Sequence, residues 1–315
     1  MKKILLIVMC VSLPVSAYCQ TANLEVMNEG SLYGDSLIRN GEVRLTYEYT
    51  RVDSLSNYAS RQDSDYLASI PEGNYGVIHN RQLTDVVLKF DGIRMVCNET
   101  CRAKLPSGRW YDQDWTWAYN GEKLELLRLD GLGAKGLILP FGSVRTANVI
   151  PRHRYDPRYY GFSIMGTPVS TFFDGFIDGK AVAEISIQNN QTVDGISCNV
   201  VTGRIIETDE KLTLWLVPQY MYRPKQIQID SDETQTLVTT DFINYASDIW
   251  FPQRIEKKVY YYSDSGEKVL YTIETLEVAQ DIKLNTESVS DAYEVDFPSG
   301  MKVYDFRTGM DFETP

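Results

Sequence analysis

Histidine is nearly missing from this chain of 315 residues, which holds only His79 and His153. Imidazole is the usual proton shuttle near neutral pH and the commonest metal ligand, so His-centred catalysis and His-rich metal sites have little to build on. Basic charge is short as well: 31 Lys and Arg stand against 43 Asp and Glu, a formal net charge of −12. Nucleic acid and anionic membrane surfaces are held through a basic footprint, so non-specific binding to either is excluded. Beyond residue 15 no apolar run reaches eighteen residues, and no later helix is expected to cross a bilayer. Motifs that carry chemistry are absent too: no Gly-x-Ser-x-Gly, Walker loop, dinucleotide fingerprint, His-Glu-x-x-His or EF-hand loop occurs. No cofactor and no metal is expected.

The N-terminus has the layout of a secretory signal. Met1-Lys2-Lys3 is a short basic region, Ile4 to Val15 is apolar, and Ser16 to Gln20 offers cleavage after Ala17 or Cys19. Residues 1–19 are therefore read as a signal peptide and 20–315 as an exported chain, placed in the periplasm. Lipid anchoring at Cys19 is disfavoured by Tyr18, which is bulky where a lipidation signal carries a small residue. Of the five cysteines, Cys97, Cys101 and Cys198 remain after cleavage. An odd number in an oxidising compartment suggests one pair and a spare thiol, with Cys97 and Cys101 close enough in sequence to pair across a tight loop. No second Cys/His pair completes four metal ligands.

Aromatic residues are plentiful, with 21 Tyr, 11 Phe and 5 Trp, a preference that fits half-buried pleated surfaces. Val43-Arg44-Leu45-Thr46-Tyr47-Glu48-Tyr49-Thr50 alternates strictly between apolar and polar, the pattern of a half-buried strand. Similar runs follow at 85–90, 93–97, 114–119, 123–129, 183–187, 196–206, 211–217, 226–230, 236–245, 255–262 and 268–278, separated by turn sequences such as Asp91-Gly92, Asn120-Gly121 and Asp194-Gly195. Strands spaced this tightly must pair antiparallel, because a parallel crossover takes a dozen residues or more. The expected fold is mainly β: one large, strongly curved antiparallel sheet of about ten or eleven strands, an open half-barrel with short helices over its concave face. One such helix is expected to start at Thr167-Pro168 and to carry Val169, Phe172, Phe173 and Phe176 on one stripe before Gly179. A weaker one is expected from about Asn23 to Ile38. No linker or repeat divides the chain, so residues 20–315 read as one domain.

Two clusters invite a chemical reading. Arg152, Arg154 and Arg158 form the single basic cluster of an acidic protein, either an anion contact at a cavity mouth or a solvated loop paired with neighbouring acids. Asp112 and Asp114 lie beside Trp110, Tyr111, Trp115 and Trp117, the composition of a carboxylate sugar site and equally of an ordinary aromatic strand.

Val193-Asp194-Gly195-Ile196-Ser197-Cys198, then Leu214-Trp215-Leu216-Val217-Pro218 with Tyr222-Arg223-Pro224, then Ile249-Trp250-Phe251-Pro252 follow one another, and Phe297 to Asp305 ends in a Pro-x-Gly turn and a last strand. In order and spacing these motifs resemble the periplasmic lipoprotein-carrier superfamily, the LolA/LolB/LppX-like proteins, over about residues 36–306. The resemblance implies a half-barrel that holds acyl chains against its concave apolar face. The chain is much longer than the type members, and their lid arginine corresponds to no single position here, leaving Arg152, Arg154 and Arg158 as candidates by location. The physical case agrees, since a curled sheet with an unfilled interior forms an apolar cavity. Candidate lining residues are Val43, Leu45, Tyr47, Tyr49, Phe172, Phe176, Trp215, Trp250 and Phe251. The expected function is a non-enzymatic carrier of lipid or lipoprotein acyl chains, working with a membrane-associated donor or acceptor protein. Two alternatives stay open: a structural or interaction module whose barrel is filled by its own side chains, and a carboxylate glycoside hydrolase.

Overall fold

The structure, a computed structural model, describes residues 23–52, 81–104, 110–130, 141–146, 155–159, 163–164, 167–168, 173, 177, 179–246, 248–263, 265–286, 293–305 and 307–315. Residues 1–19, expected to be a signal peptide, and His79 and His153 lie outside these residues. The first strands are β1 (Asn40–Arg51), β2 (Arg81–Asp91), β3 (Arg94–Lys104), β4 (Trp110–Tyr119), β5 (Lys123–Asp130), β6 (Phe141–Thr146), β7 (Ser163–Ile164) and β8 (Thr167–Pro168). They continue with β9 (Val182–Val193), β10 (Ile196–Ile205), β11 (Lys211–Val217), β12 (Arg223–Asp230), β13 (Thr234–Ala246) and β14 (Ile249–Tyr262). The last are β15 (Lys268–Val278), β16 (Lys283–Leu284), β17 (Lys302–Asp305) and β18 (Met310–Glu313). Apart from the small β7–β8 pair, these strands belong to one open sheet, antiparallel except where β17 runs parallel to β6. The expected fold class is thus observed, with sixteen strands rather than ten or eleven. The additional ones are short, and two to six residues are too few to carry a readable alternation.

The chain divides into two compact units, Met1–Leu37 with Gly161–Phe251 and Ile38–Tyr160 with Pro252–Pro315. In the first unit the strand order is β13-β12-β11-β10-β9. Its helix α1 (residues 23–36) buries Leu24, Met27, Asn28, Ser31 and Gly34, an i, i+3, i+4 stripe of the kind expected for this segment. Two glycines on that helix allow a close approach. A Cβ on Gly30 would stand 2.5 Å from the Tyr222 ring, and one on Gly34 2.8 Å from Met221. Arg223, buried beside them, donates from Nη2 to the Gly34 carbonyl and to Asp35. The helix expected from Thr167-Pro168 does not start there: those residues form β8, and helical backbone is described at Phe173 and Ile177. Proline at a first helical turn and proline on a short edge strand share the same fixed φ, so the dipeptide did not discriminate.

β9 ends the sheet order, and two register shifts against β10 insert an extra residue into it each time. Glu184 (φ 54°) and Asn190 (φ 58°), both left-handed, sit at these two bulges. The Asp194-Gly195 turn that follows has positive φ at both residues (50° and 79°), which is what a two-residue hairpin between twisted strands requires.

In the second unit the order is β18-β17-β6-β5-β4-β3-β2-β1-β15-β14, with β16 pairing the start of β1. Alternation is strict on β1 to β3. One face buries Val43, Leu45, Val86, Leu88, Phe90, Met95 and Cys97, each at most 3% exposed, while Arg44, Thr46, Asp85 and Asn98 face the other way. We call the buried side the inner face. On the outer face of β3 to β5, Ala118 and Leu127 are covered by the C-terminal segment through Val295, Met301 and Val303. Glu125 secures that cover by accepting from the Val295 amide at 2.8 Å.

Cys97 and Cys101 do not flank a loop. Both lie on β3 on the same face, four residues or about 13 Å apart, whereas disulfide-bonded Cα atoms lie within about 7 Å. The expected pairing is therefore corrected: Cys97, Cys101 and Cys198 are buried thiols.

Gly41 is where β1 passes between β2 and β16, and a Cβ there would stand 2.7 Å from the Lys283 carbonyl oxygen. Because that neighbour is backbone, Gly41→Ala should cost about 1–3 kcal/mol of stability, read as a lowered urea midpoint. A second prediction concerns the β17–β18 hairpin. The Arg307 guanidinium and amide bonded to Asp305 hold its carboxyl down to about 2. The folded value lies below the unfolded one, so this contribution is complete above about pH 4 and is lost as pH falls through 2. Asp305→Asn should flatten the pH dependence of the urea midpoint across that window.

Candidate functional site

The inner face of the second unit carries a polar constellation embedded in apolar rows. Tyr47 on β1 sits opposite Leu276 on one side and Thr84 on the other. Its hydroxyl donates to Glu274 Oε2 at 3.0 Å, and Lys257 Nζ donates to Glu274 Oε1 at 2.8 Å. The turn 155–159 lies on this face. The Tyr155 ring, 1% exposed, is 4.7 Å from the Tyr47 ring, and its hydroxyl accepts from Gln82 Nε2, which also donates to Thr84. The next residue, fully buried Asp156, holds Arg158 through Nε and Nη2 and through the Arg158 amide. The Arg158 guanidinium lies 3.7 Å from the centroid of the Phe90 ring and donates to the Gly92 carbonyl, so the turn is tied to the β2–β3 hairpin.

Of the expected lining residues, Val43, Leu45, Tyr47 and Tyr49 share this inner face of β1, with burial decreasing from Val43 to Tyr49. Arg158 is committed to Asp156 and Phe90 within the turn. Arg152, Arg154, Phe172 and Phe176 lie outside the described residues. In the first unit, Trp215 and Trp250 come together around Tyr220, whose ring centroid is 4.3 Å from Trp250 and 5.1 Å from Phe242. Phe251 is fully buried. Cys198 belongs to the same cluster, and burial pushes its thiol up. Beside it, Lys225, the extra residue of a bulge in β12, is buried and ion-paired with Asp241 and Asp194.

The outer face of β1, β2, β3 and β15 holds an open hollow of about 430 Å³, lined by Arg44, Thr46, Asp85, Val87, Asn98 and Glu277 among others. The paired acids of the sugar-site reading are placed on β4 with alternation against them. Asp112 and Asp114 are exposed on the outer face, whereas Trp115 and Trp117 alternate to the inner one, so these acids and these two rings do not share a cleft. Among the described residues no group of three or more His, Cys, Asp or Glu could hold a metal ion, and no helix is long and apolar enough to cross a membrane.

Sequence reasoning missed Gln82, Tyr155, Glu274, Lys257, Tyr220 and Phe242. Gln82 was within reach, because the alternation of β2 runs back from Asp85 through Thr84 to Gln82. Tyr155 gave no signal: it lies in an irregular segment without periodicity.

No family model matches the chain, and no curated protein matches it. Among solved structures it is similar to a DUF1329 family protein from Desulfovibrio piger, at 10% identity and a TM-score of 0.37, over 86% of this chain and 96% of that one.

Removing Arg158 would strand the buried Asp156 carboxylate. Arg158→Ala should lower stability by roughly 3–5 kcal/mol in urea unfolding. The double variant Asp156→Asn with Arg158→Ala should lose markedly less. Equal losses would mean that the pair carries little of the turn's attachment.

Proposed function

We propose that this chain is an exported, non-enzymatic carrier that binds the acyl chains of lipids or lipoproteins on the inner face of its second unit. Residues 1–19 direct it to the periplasm, where a membrane-associated protein delivers or receives the ligand. The observation that carries this reading is the way β1 is covered. An aliphatic face spread over three strands has, as its described cover at Tyr47, a five-residue turn that sets one tyrosine ring, tilted 43°, against the Tyr47 ring, and on this reading that ring gives way to another apolar group. At about 25 cal/mol per Å² of apolar area, an acyl chain shielded on such a face gains several kcal/mol, enough to offset release of one ring. No acid–base or nucleophilic group is required for this task.

A second reading has its own observation. Tyr155 is hydrogen-bonded to Gln82 and the turn is locked by the Asp156–Arg158 pair, as suits a module filled by its own side chains.

Native mass spectrometry of protein purified without detergent separates the two. A carrier should show lipid adducts, and the delipidated protein should rebind a fluorescent fatty acid, with Tyr155→Ala binding several-fold more tightly because no ring has to be displaced. A filled module should show neither adduct nor rebinding, and Tyr155→Ala should then only lower its stability. That result would end the carrier reading.

A further inference from the structure

Many charges on the outer face of the second unit are held in ion pairs between neighbouring strands. Arg81 is paired with Glu48, Lys89 with Glu42, Arg102 with Asp112 and Arg254 with Glu277. Two charges that line the open hollow of about 430 Å³ on that face depart from this pattern. Among the described residues, neither the Arg44 guanidinium nor the Asp85 carboxylate takes part in an ion pair or a side-chain hydrogen bond.

Strand register sharpens the exception. Arg44 stands opposite Val87 and Asp85 opposite Thr46, so the two are diagonal neighbours on β1 and β2. Diagonal Cβ atoms lie roughly 7 Å apart, a gap that an arginine side chain readily spans. The cation and the anion nevertheless stay unpaired, both exposed and both lining one hollow. The other lining groups suit a small ligand with polar ends. Val87 and Ala279 offer hydrocarbon beside the two charges. Asn98 Oδ1 accepts from the Thr116 hydroxyl, which leaves the amide N–H groups of Asn98 as donors, and Thr46 and Thr100 add hydroxyls. A few placed polar groups around apolar surface are the usual makeup of a small-molecule site, and the volume falls in the range of such sites. A ligand with one charge would answer one of the two side chains and leave the other unpaired. A ligand with both charges answers both.

We propose that this hollow binds a small zwitterion carrying an ammonium and a carboxylate, a free α-amino acid or a short peptide. Its carboxylate accepts from Arg44, its ammonium donates to Asp85, and the hydrocarbon between them rests against Val87 and Ala279. The site lies on the opposite face of the sheet from the proposed acyl-chain surface, so it stands or falls independently of the carrier reading.

The test titrates the isotope-labelled chain with alanylalanine, its N-acetyl form and its C-terminal amide, and follows the backbone amide NMR shifts of Thr46, Val87 and Thr100. The first ligand carries both charges, the second the negative one and the third the positive one. The zwitterion should bind roughly three- to fivefold more tightly than either singly charged form, the size expected of exposed ion pairs. Arg44→Gln should erase its lead over the amide, and Asp85→Asn its lead over the N-acetyl form, each leaving the other lead in place. Thermal unfolding checks that both variants are folded. Free alanine, run alongside, distinguishes the two sources: binding as tight as the dipeptide's marks an amino-acid site, weaker binding a peptide site. Equal binding of the three dipeptide forms, no shift at these amides, or leads that survive the substitutions would overturn the proposal.

Discussion

The second unit depends on the register of one strand. β1 is hydrogen-bonded to β2 along one edge and to β15 and β16 along the other, and its side-chain period of two decides what the inner face contains. A slip of one residue would turn Val43, Leu45 and Tyr47 outward and bring Arg44, Thr46 and Glu48 into the core. Both ends are pinned against such a slip. At the start, Asn285 donates its amide to the Asn40 carbonyl and accepts from the Arg39 amide, and Gly41 leaves room for the Lys283 carbonyl. At the end, the Val52 amide donates to the Tyr271 carbonyl. Burial of the aliphatic face supplies the energy, and these few polar contacts choose which alternation is buried.

Most of that was legible before any coordinates. The strict alternation of Val43 to Thr50 identified both the strand and its buried side, and Asn120-Gly121 and Asp194-Gly195 marked hairpins because only certain residues tolerate the turn's backbone angles. Local signals failed where two structures share a local preference. Thr167-Pro168 suits a helix start and a short strand equally. Cys97 and Cys101 look like neighbours across a loop until the strand between them is recognised as extended. The site was the least legible part. Tyr47, Gln82, Tyr155 and Glu274 come from four separated stretches of chain, and no local pattern reports that a tyrosine from an irregular turn lies on a strand more than a hundred residues before it.

Two groups of polar side chains on the inner face differ in how they are held. Asp156 holds Arg158 inside the turn, and Arg158 reaches on to the Gly92 carbonyl and the Phe90 ring, which makes the pair a fastening rather than a recognition element. Glu274, Lys257, Arg51 and the tyrosines around them are half-buried at one end of an apolar face. In the first unit, Tyr220, Phe242 and Trp250 cluster beside Cys198 and the buried Lys225, whose ammonium is ion-paired with Asp241 and Asp194.

β9 has a bearing on how the protein survives at high concentration. A twelve-residue strand that is paired along one edge alone among the described residues is a template on which another chain could add itself and start a growing cross-strand assembly. The bulges at Glu184 and Asn190 interrupt its hydrogen-bonding row twice, so no straight stretch long enough to nucleate a stack remains. Addition of a second chain to this edge is hindered by two backbone kinks as well as by the repulsion of a net charge of −12.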